Sequence, residues 1–197
     1  MGGSDDISRQ GSRVTEAGRG AVFWLTGLSG SGKSTLAALL EKRLIAEGVP
    51  AYRLDGDELR RNLSAGLGFS MEDRAEHIRR VACVAGILKD AGLIALVSVI
   101  SPLRAMRAAA KAQIGAGFYE VYVKASIETC ISRDPKGLYK EYGEGKIAMM
   151  TGLTSDYEEP AAPDVLIDTE AGSAAECADR LYDFIRHARE YEQTDRT

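Results

Sequence analysis

Eight consecutive residues limit this chain more than any other feature: Gly27-Leu28-Ser29-Gly30-Ser31-Gly32-Lys33-Ser34. They satisfy G-x-x-x-x-G-K-[ST] at every fixed position. The short apolar run Val22–Thr26 precedes them and a helix-periodic stretch, Lys33–Glu47, follows. Strand, glycine loop and helix in that order form the context in which this motif cradles phosphate. The glycines let the backbone wrap closely enough for its N–H groups to face phosphate oxygens, and the helix start adds a positive partial charge. The pattern predicts ATP binding by Gly27, Ser29, Gly30, Ser31, Gly32, Lys33, Ser34 and Thr35. Within that set Lys33 reaches the β- and γ-phosphates, and the Ser34 hydroxyl ligates Mg²⁺.

Nucleotide binding leaves the reaction open. A guanine-specific switch needs N-K-x-D, which the chain lacks; its D-x-x-G, Asp134–Gly137, follows a helix rather than a strand. Behind the second strand candidate stands Asp55-Gly56-Asp57 instead. Ligands of doubly wound sheets gather at that carboxyl edge. One carboxylate suits a Mg²⁺-bound water, and the other suits the proton of an acceptor hydroxyl. The alternative is a β-turn built on Asp-Gly chemistry. Arginines recur nearby at 60, 61, 74, 79, 80, 104 and 107, and guanidinium forks match phosphate and sulfate oxygens. A solvated helix face is the alternative for any one of them. Pro102 ends the long apolar run Leu93–Ile100 and is expected to aim the Ser101 side chain out of the same edge. Capping of the next helix is the alternative role for Ser101.

The rest of the chain alternates strand-like and helical patterns. Strands are expected at Val22–Thr26, Ala51–Leu54, Leu93–Ile100, Tyr119–Val123 and Val165–Ile167. Helices are expected over Lys33–Glu47, from a capping box at Ser70 to Ala91, over Arg104–Ile114 and Ile127–Arg133, and from Ser173 towards Glu190. This alternation predicts a three-layer α/β domain of the P-loop NTPase kind, with a mostly parallel five-stranded sheet flanked by helices. The domain is placed at residues 21–191, between flexible tails at 1–20 and 192–197. The stretch Asp134–Pro163 is too long for an ordinary loop and is expected to be a lid or acceptor-binding segment. A net charge of −4 argues against nucleic acid or anionic membrane as partner, leaving a small-molecule substrate. Cys83, Cys130 and Cys177 have no paired spacing, residues 1–20 lack an apolar core, and Leu93–Val97 is too short to span a bilayer. A cytoplasmic protein is expected.

Several segments together resemble the adenylylsulfate (APS) kinases. They are Trp24–Thr35 (WLTGLSGSGKST), Leu54–Arg60 (LDGDELR), Gly66–Ser70 (GLGFS), Asp73-Arg74 with Ile78–Arg80, Ile100–Pro102 with Arg104, Arg133–Lys140 (RDPKGLYK), and Thr151-Gly152 with Tyr157-Glu158. The likeness runs from about Val22 to Thr169. It implies a nucleoside-monophosphate-kinase-like fold, ATP and Mg²⁺, and a homodimer. It also implies phosphorylation of the 3′-hydroxyl of adenosine 5′-phosphosulfate in sulfate assimilation. On this likeness Lys33, Asp57 and Ser101 are the catalytic candidates, with Asp57 at the 3′-hydroxyl and Ser101 matching a serine described as a phosphoserine intermediate. Phe69 stacks on the acceptor adenine, Arg60 and Arg74 hold its phosphosulfate, and Arg133 belongs to a lid over ATP. The acceptor set is Asp55, Asp57, Arg60, Phe69, Arg74, His77, Ile100, Ser101 and Met150. Four positions depart from the family pattern on that side. His77 stands for Asn, Leu103 for Tyr, Ala148 for Lys, and Met150 for a second aromatic face over the base. A kinase of another small nucleotide-linked or hydroxylated metabolite is the alternative.

Overall fold

The computed structural model describes residues 20–147 and 149–194, the side chains of 190–194 excepted. Its elements in chain order are β1 (Ala21–Thr26), α1 (Lys33–Ala46), β2 (Ala51–Asp55), α2 (Gly56–Arg61), α3 (Met71–Asp90), β3 (Ile94–Ser98) and α4 (Arg104–Ile114). They continue with β4 (Phe118–Lys124), α5 (Ile127–Arg133), α6 (Leu138–Gly143), β5 (Val165–Asp168) and α7 (Ala174–Thr194). The five strands pair in the order β2-β3-β1-β4-β5, every pairing parallel. All carboxyl ends therefore point the same way, and β1 delivers the glycine loop to the middle of that edge.

Both faces of the sheet are covered, as the apolar β1 sequence AVFWLT requires. Alternate residues feed opposite layers. Phe23 and Leu25 pack with Leu36, Leu40 and Leu44 of α1 and with Leu181 and Ile185 of α7. Val22 and Trp24 pack with Ile78, Val81 and Ala85 of α3 and with Met106 and Ala110 of α4. Burying side chains of this size stabilises the fold by about 1.5–3 kcal/mol each. Truncating Phe23 or Trp24 to alanine would cost roughly 3–5 kcal/mol. A smaller cluster of Ala125, Cys130, Tyr139 and Met150 ties α5 and α6 to the glycine loop through Leu28.

Departures from the expected elements have local causes. The third strand is shorter than Leu93–Ile100. Leu93 lies in the turn that closes α3, where its N–H bonds to Leu88 O and Gly92 takes φ +87°. At the other end the chain turns at Ser101, with φ +40°. Helices α2 and α6 were not anticipated. The Asp-Gly turn alternative gives way to a cap: Asp55 Oδ1 accepts from Asp57 N (3.0 Å) and Glu58 N (3.5 Å), opening α2. Asp134 does the same for α6, accepting from Tyr139 N and Lys140 N at 3.2 and 3.0 Å. Helix α7 runs on to Thr194, into the stretch 192–197 expected as a tail. Gly20 is buried, and a Cβ there would collide with Lys89 O. Of the expected N-terminal tail, residues 1–19 lie outside the described residues, as do Ala148 and residues 195–197. Among the described residues no helix is long and apolar enough to cross a membrane.

Candidate active site

A cleft of about 1120 Å³ opens at the carboxyl edge of the sheet. One half of it is lined by the loop between β1 and α1. Gly27 takes φ +153°, and a Cβ there would run into Val123 O. A Cβ on Gly30 would meet Cys130 O at 2.9 Å, and Gly32, at φ +105°, caps α1. Only glycine permits this tight wrap, so the donor groups of the loop are fixed before any ligand arrives. The Lys33 ammonium is buried and donates to Gly27 O (2.9 Å) and Leu28 O (2.6 Å). Burial, and then the neighbouring Lys136 charge, push its pKa down to about 8. The Ser31 side chain is fully buried, while Ser29 O anchors the Tyr139 hydroxyl of α6 at 3.0 Å. Thr35 is exposed on the cleft wall. Arg133, at the end of α5, donates to Thr169 Oγ1 and Thr169 O, both at 2.9 Å, and to Gly30 O at 3.5 Å. It thus stands beside the glycine loop.

Between the two halves lie the carboxylates. Ser34 Oγ donates to Asp55 Oδ2 at 2.7 Å, and Ser98 Oγ donates to the same oxygen at 3.3 Å. Burial pushes the Asp55 carboxyl up, but the bonds from Ser34, Asp57 N and Glu58 N outweigh it and hold the group below its ordinary value. One hydroxyl and one ionised carboxylate side by side fit Mg²⁺, a hard ion that keeps most of its waters and leans on nucleotide phosphates. The described residues hold no cluster of three or more His, Cys, Asp or Glu that would cage a metal. Asp57, in the first turn of α2, forms an ion pair with Lys136. Lys136 reaches it from the segment after α5, a contact sequence reasoning missed although the residue lies inside RDPKGLYK.

The other half is a scaffold of arginines around one ring. Phe69 is 62% exposed, on a short loop before α3. The Arg60 guanidinium lies 4.7 Å from its ring centroid and donates to Gly68 O at 2.9 Å. Arg74, itself buried, donates to Phe69 O (2.9 Å) and Thr151 Oγ1 (2.6 Å). Ile100 lines the same wall, and its carbonyl accepts from Thr26 Oγ1 at 2.6 Å. His77 is buried at the cleft margin with Nδ1 2.9 Å from Ser64 Oγ. Burial, reinforced by the Arg60 charge, pushes its pKa down to about 4, so the ring is neutral at physiological pH.

Several expected side chains are placed otherwise. Ser101 does not project from the edge. It is 1% exposed, accepts from Trp24 Nε1 (3.1 Å) and donates to Thr26 Oγ1 (3.1 Å). Nor does it cap α4: the Glu158 carboxylate accepts from Arg104 N at 2.7 Å. Met150 lines the cleft but is only 6% exposed, held in the apolar cluster beneath it. Arg104 and Arg107 do not present free forks to the cleft. Arg104 donates to Glu159 O (2.7 Å), and Arg107 is buried against Glu120 (2.6 Å). Arg79 and Arg80 both pair with Glu76 on an outer helix face.

A sequence model described as adenylylsulphate kinase matches residues 19–168. A probable adenylyl-sulfate kinase of Halalkalibacterium halodurans is 45% identical over 185 residues, covering 93% of this chain and 91% of that one. The structure of the Mycobacterium tuberculosis APS kinase CysC in complex with AMPPNP and APS superposes with a TM-score of 0.82 at 45% identity. It covers 86% of this chain and 99% of that chain. A hexameric APS kinase from Thiobacillus denitrificans, 32% identical with a TM-score of 0.65, matches 87% of this chain through 29% of its own.

Proposed function

Because this chain belongs to the adenylylsulfate kinase family, we infer that it moves the γ-phosphoryl group of ATP onto the 3′-hydroxyl of adenosine 5′-phosphosulfate. The product is 3′-phosphoadenylyl sulfate, the activated sulfate of assimilation. One observation carries the reading: a complete phosphate loop and an arginine-flanked aromatic ring line the same cleft, with Asp57 on its wall between them.

Phosphoryl transfer needs positioning and charge more than covalent chemistry. The loop amides and Lys33 hold the β- and γ-phosphates, and Arg133 closes on the nucleotide side. Arg60 and Arg74 hold the phosphosulfate, while Phe69 stacks on the base, a contact worth about 1–3 kcal/mol. Asp57 accepts the hydroxyl proton, for which it must release or share Lys136. Mg²⁺ supplies neutralisation of the phosphate charge; Ser34 would ligate it and Asp55 would hold one of its waters. Ser101, committed on both sides of its hydroxyl, shapes the floor of the acceptor half, and no covalent step is assigned to it. The reading extends to a homodimer in the cytoplasm. The hexameric relative supports self-association as such, and sedimentation of the full chain measures it.

The test is ADP release by the purified chain with Mg²⁺ and ATP against APS and a panel of nucleotides and small alcohols. Saturable turnover with APS and none with the panel is expected. Turnover confined to another acceptor would overturn the assignment and give meaning to His77, Leu103 and Met150 as a changed pocket.

A further inference from the structure

Ser101 holds a backbone conformation that residues with a Cβ seldom take, with φ at +40°. Such strain persists only where the neighbours over-determine it. Much of that constraint traces to one side chain outside the site just described. Arg107 is 2% exposed, and its Nη1 donates to Ser101 O (2.7 Å) and Pro102 O (3.2 Å). Nη2 donates to Glu158 O at 2.6 Å, and Nε pairs with Glu120 Oε1 at 2.6 Å. The guanidinium carbon also lies 5.8 Å from the Tyr157 ring centroid. The Tyr157 hydroxyl in turn meets Thr26 Oγ1 at 3.1 Å, the oxygen to which Ser101 donates. Glu158 N closes the stitch on Pro102 O at 2.8 Å.

One buried fork therefore joins three pieces of chain: β4 through Glu120, the Ser101-Pro102 turn that lines the acceptor half, and the Tyr157–Glu159 stretch where the chain returns from the lid segment. We infer that Arg107 is a positioning residue for the acceptor. It fixes the floor under the acceptor and the far anchor of the lid segment, and it acts through Ser101 and Pro102 rather than by touching either substrate. The inference rests on the kinase reading above. A planar guanidinium serves these acceptors at once, whereas an ammonium on a flexible stem cannot. A mere brace of the core would instead disturb both substrates alike.

The experiment is steady-state kinetics on the full chain with Arg107→Lys, varying APS and ATP separately. The expected result is an APS KM raised about tenfold or more with the ATP KM within about twofold. Glu120→Gln, which loosens only the tether on Nε, should shift the APS KM in the same direction by about threefold. It decides the matter alone if Arg107→Lys does not fold. Glycine adopts φ +40° unaided, so Arg107→Lys should cost distinctly less in a Ser101→Gly background. Equal rises in both KM values, or a cost undiminished by Ser101→Gly, overturn the inference. A wild-type enzyme silent toward APS overturns the functional reading instead.

Discussion

His77 shows how one residue in a cleft wall writes a pH response into the whole molecule. Its folded pKa near 4 lies below the ordinary 6.5 because burial, then Arg60, disfavour the imidazolium. Between those values the unfolded chain binds a proton that the folded chain refuses. The stabilisation is therefore complete above pH 6.5 and is lost as pH falls, by on the order of 3 kcal/mol at pH 4. Replacing His77 by Asn, which cannot take up the proton, should flatten that slope. Urea unfolding of the two proteins at pH 7 and pH 4.5 measures it, and parallel losses in both would show that other groups dominate. Among single residues, the glycine loop was legible in sequence because its chemistry is backbone chemistry at fixed spacing. Arg107 and Ser101 were misplaced for the opposite reason. Nothing in a linear order tells a fork aimed at phosphate from one that turns inward to Glu120, 13 residues on.

At the scale of elements, periodicity recovered the long helices and the strands, with α4 and α5 matching at both ends. It missed α2 and α6, each of six residues, since a turn and a half shows no stripe. In each an aspartate carboxylate accepts from first-turn N–H groups, Asp55 as the N-cap of α2 and Asp134 from three residues before the cap of α6, and both aspartates were in view. The α6 region also revises the view of Met150 as a bare replacement for a stacking ring. Its side chain fills a cluster with Ala125, Cys130 and Tyr139. Met150→Phe is expected to overpack that cluster and cost roughly 1–3 kcal/mol, read as a lowered denaturant midpoint at unchanged slope. Unaltered stability would mean that the cluster opens easily and that the ring is accommodated towards the cleft.

For the molecule as a whole, five parallel strands place every functional loop on one edge, so ligand and fold are thermodynamically linked there. Mg²⁺-ATP at a hundred times its dissociation constant should add about 2.7 kcal/mol to stability. In a chain of this size that is roughly 5–10 °C in Tm, whereas ATP with excess chelator should give much less. Equal shifts with and without Mg²⁺ would count against Ser34 as a metal ligand. The chain has a single tryptophan, Trp24, wholly enclosed in the central strand with its indole N–H on Ser101. The protein thus carries its own fluorophore where the fold and the acceptor floor meet. Emission should move to longer wavelength only when the sheet comes apart and water reaches the ring. A ligand that presses on the Ser101 turn should alter intensity without that displacement, so one intrinsic optical signal separates unfolding from occupancy.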